Sequence, residues 1–107
     1  MRTEVPLPLP GDRRAWDLVL GLSPDPIPVE AETRLRDLQA LQRRAALKLR
    51  DSPFDRLILL VSDTANNRAI LAGYREELRP DYPLDTRSML AALRRGETPS
   101  GSGIVVL

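Results

Sequence analysis

Three carboxylates interrupt apolar, strand-like runs in this sequence. Asp17 stands between Trp16 and Leu18, Glu30 between Val29 and Ala31, and Glu32 follows. Strands disfavour acids, because each must be solvated or paired. Glu30 and Glu32, two residues apart on one strand face, lie roughly 7 Å from each other. If the strands carrying Asp17 and Glu30 are neighbours, their polar faces coincide. Asp17 and Glu30 then point into one site, with Glu32 just beyond. Converging carboxylates attract a hard divalent cation, Mg²⁺ or Mn²⁺. Such an ion turns bound water into a nucleophile and stabilises a pentacovalent phosphate. The same spacing also fits acids on a solvated sheet face, or acids paired with Arg13, Arg14 or Arg34.

The rest of the composition narrows the chemistry. The chain has 107 residues, 42% hydrophobic and 29% charged, which suits one globular domain. Cysteine is absent, which excludes disulfides, thiolate zinc sites and thiol catalysis. Histidine is absent too, removing the usual general base near neutral pH. Fifteen arginines stand against a single lysine, Lys48. Acids gather early and bases later: residues 1–33 sum to −3 and residues 34–107 to +4. Arg43-Arg44 and Arg94-Arg95 could touch phosphate, but no aromatic is interleaved with them. Gly101-Ser102-Gly103 lacks the spacing of a phosphate loop and reads as a linker. No apolar run approaches the roughly 18 residues of a membrane span. The start shows no signal-peptide pattern, so a cytoplasmic location is expected.

The elements that must position the acids follow from periodicity. Residues 2–9 alternate, with Val5, Leu7 and Leu9 on one side and Pro6 and Pro8 on the other, as in an edge strand. Residues 14–20 form a second strand, with Trp16, Leu18 and Leu20 on one face and Ala15, Asp17 and Val19 on the other. Residues 27–32 form a third, with Ile27, Val29 and Ala31 opposite the two glutamates. Thr33 caps a helix over 34–50, striped by Leu35, Leu38, Leu41, Ala45 and Leu49. Lys48 projects away from that stripe and reads as a solvated residue rather than a relocated catalyst. Leu57–Val61 is a strand covered on both faces. Asp63 or Thr64 caps a helix to about residue 79, with Ile70, Leu71, Tyr74 and Leu78 inward. Asp85 caps another to about Arg95, stopped by Gly96. Ile104–Leu107 is the last strand. The order β-β-β-α-β-α-α-β gives an α/β domain: an antiparallel meander continuing, through a crossover, into a parallel strand of one mixed sheet with flanking helices.

Asp17, then Glu30-Ala31-Glu32-Thr33, then a helix with Asp37 and Gln39, resembles the PD-(D/E)XK nuclease-like superfamily. With Leu59-Leu60-Val61-Ser62-Asp63-Thr64-Ala65-Asn66-Asn67-Arg68 added, the chain is most similar to the C-terminal domain of actinobacterial Xre-type helix-turn-helix transcriptional regulators. The likeness runs from about residue 2 to 107. It implies a restriction-endonuclease-like core lacking its first helix, and so a truncated C-terminal domain, a shortened paralogue or an excised part. It implies a degenerate catalytic set of Asp17, Glu30, Glu32 and Gln39. Asp17 and Glu30 take the metal-ligand positions, Gln39 that of the helix glutamine, and Glu32 stands in the lysine slot.

A carboxylate in that slot repels substrate phosphate. The resemblance thus implies a domain that cuts weakly or not at all and serves a DNA-binding regulator in ligand binding or dimerisation. The alternative is an active metal-dependent DNA endonuclease using Asp17, Glu30 and Glu32. A plain protein-interaction domain is the third. The implied cofactor is Mg²⁺ or Mn²⁺, or none. The implied partners are DNA, directly or through an attached helix-turn-helix domain, and a second copy of the chain.

Overall fold

A computed structural model describes residues 1–107. It contains β1 (Arg2–Pro6), β2 (Ala15–Leu20), β3 (Ile27–Glu32), α1 (Leu38–Arg50), β4 (Ile58–Val61), α2 (Ala65–Gly73), α3 (Arg75–Leu78), α4 (Thr86–Arg94) and β5 (Gly103–Val106). The strands lie side by side in sequence order in one five-stranded sheet. β1, β2 and β3 pair antiparallel; β3, β4 and β5 pair parallel. This is the mixed-sheet α/β arrangement that periodicity predicts.

Each face of the sheet carries its own core. One core joins Trp16, Leu59 and Val61 to Leu38, Leu41 and Ala45 of α1 and to Leu78 of α3. The other joins Ile27, Val29, Ile58 and Val105 to Met89 of α4. The chain must therefore change faces between α3 and α4, and it does so around the outer side of β5. Leu84 bridges Gly103 there, donating its N–H to Ser102 O and accepting from Ile104 N–H. Thr86 Oγ1 donates to Ile104 O and accepts from Val106 N–H. Both contacts occupy backbone groups that an edge strand would leave open. Gly103 is required by this passage: a Cβ would lie 2.6 Å from Leu84 O and from Met89 Cε. Gly96, at φ 69, ends α4 in the left-handed region as expected.

Four expectations need correction. Leu9 lies beyond β1 and is exposed. The second strand does not alternate throughout. Trp16 and Val19 enter the α1 core, while Leu18 and Leu20 face the α4 core. The phase slips at Asp17. Opposite it, between the pairs Thr3↔Leu18 and Val5↔Trp16, Glu4 has φ 47, an uncommon backbone state for a side chain with Cβ. The two strands are irregular at the same level.

The helix after β3 begins at Leu38, not 34. Asp37, not Thr33, caps it by accepting from Ala40 N–H. Residues before it are held out of the helix because Leu35 N–H donates to Asn67 Oδ1. The helix after β4 breaks at Tyr74 into α2 and α3, and Tyr74 is exposed rather than inward.

Candidate functional site around Glu30

Glu30 is the one buried acid of the chain, 9% exposed. It sits on β3 facing α1. Lys48, near the end of α1, reaches back to it. The Lys48 ammonium lies 2.9 Å from both Oε1 and Oε2 of Glu30 and donates a further bond to Ala15 O at 2.7 Å. The same ammonium lies 5.6 Å from the Trp16 ring centroid, over its electron-rich face. The expectation that Lys48 is solvated is thus overturned; its side chain is only 15% exposed. The reason is length. An unbranched four-carbon stem can lie along apolar surface and carry its charge away from the position where its Cβ points. A stripe drawn through Cβ positions misses this.

Glu32 diverges from Glu30 to Arg44, 3.7 Å away on α1. The two pairs form a ladder. Glu30 and Glu32 are two residues apart on a strand, about 6.7 Å. Lys48 and Arg44 are four apart on a helix, about 6 Å. Matching rises let one face of α1 neutralise one edge of β3 in register.

Asp17 takes a different part. Its Oδ2 accepts Ala31 N–H at 2.8 Å, just past the last ladder pair, Leu18↔Val29. The carboxylate replaces a backbone partner where β2 kinks. Gln39 is exposed and makes no side-chain hydrogen bond, so it does not join the acids. The candidate set therefore separates. Asp17 and Glu30 remain neighbours, Glu32 leaves for Arg44, Gln39 faces solvent, and Lys48 enters. Of the arginines offered as partners by the sequence, Arg14 pairs elsewhere, with Asp12 and Asp51, tying the β1–β2 turn to the end of α1, and Arg13 and Arg34 pair with no acid.

The electrostatics follow from burial. Desolvation raises the Glu30 pKa above the ordinary value, with Lys48 opposing and Asp17 adding to the rise. Tyr82 is pushed up to about 12, chiefly by burial, so its hydroxyl keeps its proton. No three carboxylates converge, and an ammonium stands at Glu30 where a dication would place its charge. As arranged, the residues do not fit Mg²⁺ or Mn²⁺.

One organising residue escaped sequence reading. Asn67 is fully buried at the start of α2. It accepts Leu35 N–H at 2.9 Å and donates to Thr33 O at 3.0 Å and Ser62 O at 2.9 Å. It thereby joins the ends of β3 and β4. The only signal was an asparagine among small polar residues at a helix start, which is common. Beside this junction, Glu32, Arg34, Arg36, Asp37 and Arg44 line an opening of about 350 Å³.

No family model, no curated protein and no solved structure matches the chain. No helix is long and apolar enough to cross a membrane.

Proposed function

We propose that this chain is a nuclease-like domain of PD-(D/E)XK type that does not cut, serving a DNA-binding regulator as a ligand-binding or dimerising module. The strand order supports the first half: an antiparallel meander entering a parallel β4 through α1, with Asp17 and Glu30 on adjacent strands at one level. One observation carries the absence of cutting. The three N–H donors of Lys48 are matched by three acceptors, the two Glu30 oxygens and Ala15 O. An ammonium so saturated neither orients a water nor meets a phosphate. The pair ties α1 to the sheet instead.

A second reading has one observation in its favour. The structure gathers two acids and a lysine, the composition that metal-assisted phosphodiester hydrolysis uses, and an active DNA endonuclease would follow if Glu30 released Lys48 to admit a cation.

One assay separates the two. The purified protein is incubated with supercoiled and linear DNA in Mg²⁺ or Mn²⁺. The expected result is intact DNA and a melting temperature indifferent to either ion. Cleavage that disappears in Asp17→Ala and Glu30→Ala overturns the non-cutting reading.

A further inference from the structure

Away from Glu30, the change of faces around β5 leaves a groove of about 760 Å³ between α2–α3 and the last strand. That volume is in the range of small-molecule sites. Its floor is aliphatic: Leu71 and Leu78 from the helices, Leu84 from the strap, Ile104 and Val106 from β5. Its wall is basic. Arg68 of α2 lines it together with Arg75 and Arg79, which lie one turn apart at the two ends of α3.

Their partners are unequal. Arg68 is paired with Asp63. Arg79 has only Glu76, at 3.6 Å between two largely exposed side chains. Arg75 has no ion-pair partner, so its guanidinium N–H donors are open to the groove. The one acid in the lining, Asp85, already accepts Ser88 N–H as the cap of α4. The groove thus offers uncommitted guanidinium donors above an apolar floor. Two arginines one helical turn apart, a backbone rise of about 6 Å, can bring their flexible side chains to a single oxyanion, to which each presents paired N–H donors.

We propose that this groove binds a small amphipathic anion, with its carboxylate or phosphate head at Arg75 and Arg79 and its aliphatic body along Leu71, Leu78 and Ile104. The site deepens the ligand-binding part of the proposed function and rests on it. The lining sets the class: five aliphatic side chains against a single aromatic, Tyr82, favour a chain or alicyclic body.

Octyl phosphate and octanoate are the probes, below their micellar concentrations, with octan-1-ol as the uncharged control. Binding is followed by calorimetry and by amide chemical shifts of residues 71–86 and 104–106. Saturable binding of at least one anion is expected, with the preferred anion reporting the head group. Arg75→Gln should weaken it at least tenfold, and Ala72→Trp, at an exposed position on the groove wall, should block it. Circular dichroism confirms that both variants fold. Absence of saturable binding, equal binding of octan-1-ol, or affinity unmoved by both substitutions overturns the site. The DNA assay above is run on the same preparation. Intact DNA with no anion binding rejects the groove alone, whereas cleavage with anion binding rejects the non-cutting reading alone.

Discussion

The ammonium of Lys48 lies midway between the carboxylate oxygens of Glu30, 2.9 Å from each, beneath the sheet face of β3. Neither group is exposed enough for solvent to replace its partner. Removing one leaves the other as an uncompensated buried charge. Lys48→Ala or Lys48→Met should therefore cost about 3–5 kcal/mol in urea unfolding. The double variant Glu30→Leu/Lys48→Met should recover most of that loss, because the desolvation cost of both charges goes with them. A double variant no more stable than the worse single would show that the pair is not the energetic unit.

Acid sensitivity should come from the C-cap of α1, three residues beyond Lys48. Asp51 has its pKa lowered from 3.8 to about 2 by hydrogen bonds from Arg50 and then Arg14. Its ionised form is favoured in the folded state, so its contribution is complete above pH 3.8 and is lost as pH falls toward 2. The melting-temperature gap between the native chain and Asp51→Asn should narrow over that interval. Glu30 acts in the opposite sense. Its folded pKa is raised by burial, so the folded state binds its proton more readily. Its contribution to stability is present below the ordinary value of 4.5 and declines as pH rises through the raised value. Glu30→Gln should remove that decline. A Glu30→Gln curve parallel to the native one above pH 4.5 would refute the assignment.

Asn67 makes the sharpest prediction about the junction of β3 and β4. Asn67→Ala orphans Leu35 N–H and leaves Thr33 O and Ser62 O without their shared donor. Each buried polar group left unpaired costs about 1–3 kcal/mol, so the variant should lose about 2–4 kcal/mol after relaxation. Hydrogen exchange at the Leu35 amide should accelerate more than exchange at Leu59, in mid-sheet. Equal acceleration at both would mean a global loss rather than a local clamp.

Thr86→Val keeps the shape of the strap and deletes its two hydrogen bonds to β5. A loss of about 1–3 kcal/mol is expected, together with faster exchange at Val106 N–H. Unchanged protection at Val106 would show that the Leu84 backbone contacts suffice.

What could be read from the sequence was the part governed by local periodicity. Five strands, their meander and crossover, and the capping of α4 by Asp85 all follow from spacing and cap residues. The misreadings share a cause: a contact from far along the chain overrode a local rule. Leu35 fits the helical stripe, but Asn67 takes its N–H and delays α1 to Leu38. Asp17 sits on an alternating pattern, but its carboxylate takes Ala31 N–H and the strand changes phase. The site suffered most, because its geometry depends on where long side chains end. Lys48, expected in solvent from the direction of its Cβ, is held against Glu30, and Gln39, which the resemblance puts at the site, faces solvent.

The strap around β5 also limits how copies of this chain can assemble. Hydrogen-bonded polymers of sheets need two receptive margins, one on each side of the repeating unit. Here one margin is already filled by Leu84 and Thr86. The other is spoiled by Pro6, which has no N–H to give, and by the turned backbone of Glu4. Strand-by-strand growth has no site to start from at either margin. Leu18, Leu20 and Leu22 lie away from both margins, partly covered on the α4 side of the sheet.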